Sequence, residues 1–163
     1  MDTQSAIRYA VWYRLTQDEE LKRLFGGQVR MYPVWAPKDA PLPYIVHRLE
    51  NDRVDAAVKN GRWYLDFWDY NPTAERIYAI AGRAIELMEC SALGLVDSGS
   101  GYVWVCQAVQ DQPRDLLVAA RFYLLSDGDV PEDTQNIWHY ATTWNVRFSL
   151  SPAQIERLLQ TKE

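Results

Sequence analysis

Cysteine and histidine are nearly missing from this chain. Cys90 and Cys106 are the only cysteines, and two thiols at that spacing, with no second pair, build neither a zinc ribbon nor a disulfide scaffold. Both are expected as small buried apolar residues. The only histidines, His47 and His139, fall on separate predicted strands. No other histidine, cysteine or carboxylate pair stands at ligand spacing from either, whereas a metal site needs three or four converging ligands. Surface or cross-strand histidines are therefore the expectation. No apolar run approaches the roughly 18 residues that would suggest a membrane span. The opening Met1, Asp2, Thr3, Gln4 and Ser5 lack the basic-then-apolar order of a signal peptide, so a cytosolic setting is expected. Positive charge is also short. Lys and Arg number 17 against 22 Asp and Glu, a net charge of -5, which disfavours any nucleic-acid affinity that depends on neutralising phosphates.

Catalytic signatures are missing as well. Ser100 sits between Gly99 and Gly101, but Ser98 and Tyr102 stand where a nucleophile elbow needs its glycines, so the segment reads as a turn. Trp104 occupies the place of the third glycine in a dinucleotide fingerprint. Asp127, Asp129, Glu132 and Asp133 resemble the start of a calcium loop, yet Pro131 takes the third ligand position and Gly128 comes too early. Asp66 and Asp69 are three apart on a predicted strand and so face opposite sides. No cofactor, metal or reaction is indicated.

Aromatic residues are what the chain does have: seven Trp, ten Tyr and four Phe. Such residues dominate interfaces as well as cores, so either a Trp-rich core or contact with further copies would account for them. With 48% hydrophobic and 24% charged residues, the 163-residue chain has the composition of one globular domain.

Residues 43–70 organise the rest. A short extended run at 44–49 and an aromatic run at 62–70 read as two strands, with Asn51-Asp52 and Asn60-Gly61 supplying turn chemistry at the ends of the connector. Before them, Ala6, Ile7, Ala10, Val11 and Leu15 mark one face of a helix capped by Thr3. Thr16 with Glu19 reads as a capping box that starts a second, shorter helix, ended by Gly26-Gly27. Four prolines between 33 and 43 then require an extended arm or edge.

After residue 70, Asn71-Pro72 predicts the start of an amphipathic helix of about 18 residues with the stripe Ala74, Ile77, Tyr78, Ala81, Ile85 and Met88. Gly94, Gly99 and Gly101 are expected to end it before a strand from 102 to about 109. Residues 111–136 read as an insertion: part of a strand or a short helix, then a mobile acidic loop at 127–133. The clearest alternation lies at the end, where Trp138, Tyr140, Trp144, Val146, Phe148 and Leu150 interleave with His139, Thr143, Asn145, Arg147 and Ser149. A short helix over 151–161 is predicted to close the chain. This order gives an α+β fold: an antiparallel sheet of four strands or slightly more, with helices mainly on one face. In the aromatic strand, Trp63, Leu65 and Phe67 form one side. Tyr64, Trp68 and Tyr70 form the other, which is expected to need cover from a neighbouring subunit.

Four stretches carry a resemblance to a known family: Leu24-Phe25-Gly26-Gly27-Gln28-Val29-Arg30-Met31-Tyr32-Pro33, the phrase Ala36-Pro37 with Leu42-Pro43-Tyr44-Ile45-Val46, the connector Asn51-Asp52-Arg53, and Leu65-Asp66-Phe67-Trp68-Asp69. With the helix after Pro72 and the closing Arg147-Phe148, the chain resembles the tail-completion proteins of long-tailed bacteriophages, also called tail terminators or tail-to-head joining proteins. The resemblance implies a structural virion protein without a reaction. It would form a hexameric ring on the head-proximal end of the tail tube, contacting the tube protein and the head-completion or connector protein. Assembly would take place in the host cytoplasm, with no membrane involved and DNA passing through the lumen without specific binding. Docking to these partners is expected from Arg53, Asp55 and Lys59 in the connector and from Asp127, Asp129, Glu132 and Asp133 in the acidic loop. Alternatives are another neck or head-completion subunit or, from a different class, a small α+β ligand-binding module or enzyme, which would need converging polar groups in a pocket.

Overall fold

The computed structural model describes residues 3–51, 58–89, 92–97, 102–106 and 116–150. Within them, seven strands form one sheet: β1 (Met31–Pro33), β2 (Tyr44–Asn51), β3 (Val58–Tyr70), β4 (Ala92–Asp97), β5 (Tyr102–Cys106), β6 (Leu116–Val130) and β7 (Ile137–Leu150). Their spatial order is β1-β2-β3-β7-β6-β4-β5. The β1–β2 pair is parallel and the other pairs of these strands are antiparallel, so the sheet is mixed and has seven strands, where an antiparallel sheet of four strands or slightly more was expected. The α+β class stands. Helices α1 (Thr3–Thr16) and α3 (Glu75–Glu89) cover one face, and the short α2 (Glu19–Leu24) packs beside α3.

The alternation of β3 and β7 makes the core. Trp63, Leu65 and Phe67 from β3 join Trp144, Val146 and Phe148 from β7 and Phe122 from β6. Ile7, Val11 and Leu15 of α1 and Ile77, Ile80, Ala84 and Met88 of α3 close over them. Each of these larger side chains contributes roughly 1.5–3 kcal/mol by leaving water. The hydroxyl of Thr142, buried among them, is satisfied: it accepts from Trp144 Nε1 at 2.8 Å and donates to the Leu65 carbonyl at 2.9 Å.

The full length of β6 is obscured in the sequence for a local reason. A bulge between Leu124 and Ser126 switches its inward set from Ala120, Phe122 and Leu124 to Asp127 and Asp129, which hides the period-two pattern. The acidic segment is consequently strand as far as Val130, with Asp127, Gly128 and Asp129 opposite Thr142, Ala141 and Tyr140. The mobile loop expected there is replaced by a short turn that begins at Pro131. Likewise Asn60-Gly61, expected as a turn, lies inside β3, because Gly61 is flanked by Asn51 of β2 and Val146 of β7. Gly94 sits within β4, where a break was expected.

Helix starts also differ from expectation. Asp18, and not Thr16, caps α2: its Oδ2 accepts from Leu21 N at 3.0 Å, while Thr16 is buried and Glu19 turns to Lys22. Gly26 and Gly27, at φ 79° and 134°, return amide bonds to Arg23 and Lys22, ending that helix as the sequence implied. Asn71 is tied to the sheet, donating its amide to Asn136 at 3.0 Å and receiving Trp138 Nε1 at 2.8 Å. α3 therefore begins at Glu75 and runs 15 residues. The closing helix predicted over 151–161 lies outside the described residues.

Candidate functional site

The face of the sheet opposite the helices carries the side chains that the core does not use. In β3 these are Arg62, Tyr64, Asp66, Trp68 and Tyr70. The ladder sets Tyr44 of β2 and His139 of β7 on either side of Trp68, and Val46 and Ala141 on either side of Asp66. A row of rings results. Tyr32 meets Tyr44 edge-on at 5.9 Å, Tyr44 lies 6.4 Å from Trp68, and Trp68 stacks on the imidazole of His139 at 3.8 Å with 15° between planes. Four strands contribute one ring each.

His139 is clamped from both sides. Its Nε2 lies 3.2 Å from Asp66 Oδ2 and its Nδ1 lies 3.0 Å from Glu132 Oε1. Burial works against the charged ring, and the two carboxylates outweigh it, so the His139 pKa is raised above its ordinary value. With both nitrogens engaged by carboxylates, the imidazole has no free nitrogen with which to accept a substrate proton. The carboxylates sit on opposite edges of the ring, so they do not converge on one ion. Among the described residues, no group of three or more His, Cys, Asp or Glu side chains is placed to hold a metal. What the arrangement offers is a rigid aromatic surface with an imidazole braced in it by two carboxylates.

The expected interface residues fall on this face but differ in exposure. Tyr70 is 56% exposed. Trp68 is half-buried against its neighbours, and Tyr64 lies beneath the Arg48 guanidinium, 4.1 Å from the ring centroid. The described residues expected for docking in the connector and the acidic loop lie on several elements. Arg53 and Asp55 lie outside the described residues, and Lys59 belongs to β3, opposite Phe148. Asp127 and Asp129 turn to the helix-covered face: Tyr140 donates its hydroxyl to Asp127, and Tyr78 of α3 donates to Asp129 at 3.0 Å. The bond to Asp127 first, then burial, pushes the Tyr140 pKa up to about 12. Glu132 belongs to the His139 clamp, and Asp133 stands exposed in the turn.

Sequence reasoning missed the clamp because its members lie on different elements, with Asp66 and His139 73 positions apart. The nearest signal was the alternation of β7, which put His139 on the wet side without saying what stood beside it. Also missed was Trp35. At 82% exposure it follows Val34, whose φ of 64° closes a γ-turn in which the Trp35 amide bonds Pro33 at 2.7 Å.

One cleft among the described residues lies away from His139. An open cleft of about 660 Å³ is bordered by Tyr13, Arg14, Gln17, Asp18, Glu19, Glu20 and Arg83. Its best-placed charges are consumed in a side-on pair, with Arg83 Nε and Nη2 at 3.1 and 2.7 Å from the two Asp18 oxygens. A similar pair pins the end of β3, where the fully buried Asp69 receives Arg76 Nε at 2.8 Å and Nη2 at 2.6 Å. These are structural joints between elements.

No protein-family model matches the sequence, and no curated protein matches it. Among solved structures, a chain in the virion of a native gene transfer agent particle is similar in fold. The TM-score is 0.59 at 13% sequence identity, over 90% of this chain and 97% of that one. At this identity the likeness establishes a shared fold along nearly the whole length of both chains.

Proposed function

We propose that the protein is a structural virion subunit, a tail terminator that assembles as a hexameric ring at the head-proximal end of a tail tube and receives the head's connector. The observation that carries this reading is the fold that 90% of this chain shares with a virion chain. The residue patterns at 24–33, 36–46 and 65–69 point the same way. The surface chemistry supports it too: the chain presents a rigid aromatic face outside its core, and ring assembly needs broad self-association surfaces. In this reading the partners are further copies of the chain, the tube protein and the connector, and DNA passes through the lumen past a chain of net negative charge.

Negative-stain imaging of the purified protein tests the ring, with six-fold rings as the expected result. Trp68→Asp places a carboxylate in the aromatic row beside Asp66 and Glu132, and should reduce the mass measured by light scattering to that of a monomer. An unchanged mass would remove Trp68 from the interface.

A further inference from the structure

The net charge of -5 is not spread evenly. On the helix-free face the ladder gathers four arginines that lie far apart in the chain: Arg48 of β2, Arg62 of β3, Arg147 of β7 and Arg121 of β6. All are exposed, on four successive strands. Arg121 stands opposite Arg147, Arg147 stands opposite Asn60, two residues before Arg62, and Arg48 stands opposite Tyr64, two residues after it. They form a slanting row about 14 Å wide across the strands. One carboxylate lies within the row among the described residues: Glu50, opposite Arg62 in the ladder. It is taken up by Arg48 at 3.2 Å and by the Tyr64 hydroxyl at 3.4 Å. Among the described residues, Arg62, Arg121 and Arg147 form no ion pair.

The side chains between the guanidinium groups are polar: Asn60 of β3, Thr143 and Asn145 of β7 and Ser126 of β6 share that side of the sheet. The exposed apolar side chains, Tyr123 and Leu125, stand at the β6 margin. A protein interface has the reverse plan, an apolar centre depleted of charge inside a polar rim. Arginine, serine, threonine and asparagine side chains are instead what contact phosphate oxygens in nucleic-acid complexes. The tyrosines of the row hold guanidinium groups, with Arg48 over Tyr64 at 4.1 Å and Arg121 over Tyr123 at 5.4 Å. It thus offers charge where a single-strand site would offer open ring faces for bases. We propose that this row binds the phosphate backbone of double-stranded DNA, weakly and without regard to sequence. Arg62, Arg121 and Arg147 neutralise phosphates and release their counterions, while the acidic remainder of the chain limits the affinity. The contact belongs to the single chain and goes beyond the ring reading, so either can fail alone.

Fluorescence anisotropy of a labelled short DNA duplex, titrated with the protein, tests it. Neutralising three phosphates should weaken binding roughly 40-fold between about 50 and 200 mM salt, and duplexes of unrelated sequence should bind alike. Arg62→Ala with Arg121→Ala and Arg147→Ala should lower the affinity at least about tenfold at the lower salt and flatten the salt dependence. Lysine at the same three positions keeps the charge and should retain most of the binding; circular dichroism checks the fold of each variant. Lys22→Ala with Arg23→Ala and Lys38→Ala removes as many cations from other surfaces and should leave the affinity within about threefold. A wild type that does not bind at about 50 mM salt would overturn the proposal, as would an arginine-to-alanine variant that binds like the wild type. Equal losses in the two alanine variants would also overturn it, by making net charge the cause. A strong preference for one duplex sequence would overturn backbone contact. Polyglutamate that displaces the duplex at equal charge concentration would overturn DNA as the occupant in favour of an acidic protein. Duplex binding intact in a protein that forms no rings by negative stain would support this contact and remove only the ring reading.

Discussion

β3 carries two tryptophan–histidine stacks, one on each face, and they behave as opposites. Inside, Trp63 stacks on His47 at 5.3 Å with 17° between planes; outside, Trp68 stacks on His139 at 3.8 Å with 15°. Trp63 is fully buried and His47 is 6% exposed, and neither Trp63 Nε1 nor His47 Nδ1 has a hydrogen-bond partner among the described residues. Burial, then the nearby Arg8, lowers the His47 pKa to about 4, so that ring is neutral. His139 has two carboxylates and a raised pKa. The same pair of residue types is unpartnered core on one side and braced by carboxylates on the other, and the difference is made by what the neighbouring strands and helices supply.

Truncating the two tryptophans should separate the faces most strongly. Trp63→Ala opens a cavity among Phe122, Trp144 and the helices and should cost roughly 3–5 kcal/mol in denaturant unfolding. Trp68→Ala loses a stacked ring on the face opposite α1 and α3 and should cost about 1 kcal/mol in the monomer, with its main effect on assembly. Equal costs would mean that both faces are core.

The histidines should then titrate in opposite directions. The stabilisation from the His139 clamp is complete below the ordinary imidazole pKa and is lost as pH rises through the raised folded value. For His47 the unfolded chain takes up a proton between its ordinary 6.5 and about 4 while the folded chain does not, so stability falls as pH drops through that window. Imidazole NMR resonances followed against pH check both; a shared midpoint would remove the distinction. The smallest effect belongs to Arg48→Ala, which removes an exposed stack on Tyr64 and an exposed pair with Glu50. It should change stability by about 0.5 kcal/mol in thermal unfolding, and a larger loss would show that the outer face contributes to folding as the inner one does.

The two faces of β3 and β7 are legible in the residue order alone because side chains alternate strictly along a strand. Trp63, Leu65 and Phe67 could only be together, as could Trp144, Val146 and Phe148. The candidate surface is half legible for the same reason: Tyr64, Trp68 and Tyr70 share a side whichever strand lies next to them. The identity of that next strand is not legible. β7 pairs with β3 along its whole length, bringing Ile137 opposite Tyr70 and Ser149 opposite Val58, and no local propensity encodes a pairing across that much chain.

What the sequence determined by itself was local and periodic: the α+β class, the glycine stop after α2, and the two sides of β3 and β7. What only the tertiary structure decided was every meeting between separate elements. Asp66 with His139 depends on strand order and register, and Asp69 with Arg76 and Asp18 with Arg83 depend on where α3 packs. Backbone ladders and a bulge set that register by pairing residues tens of positions apart, and a shift of one residue would turn Asp66 or His139 to the other face.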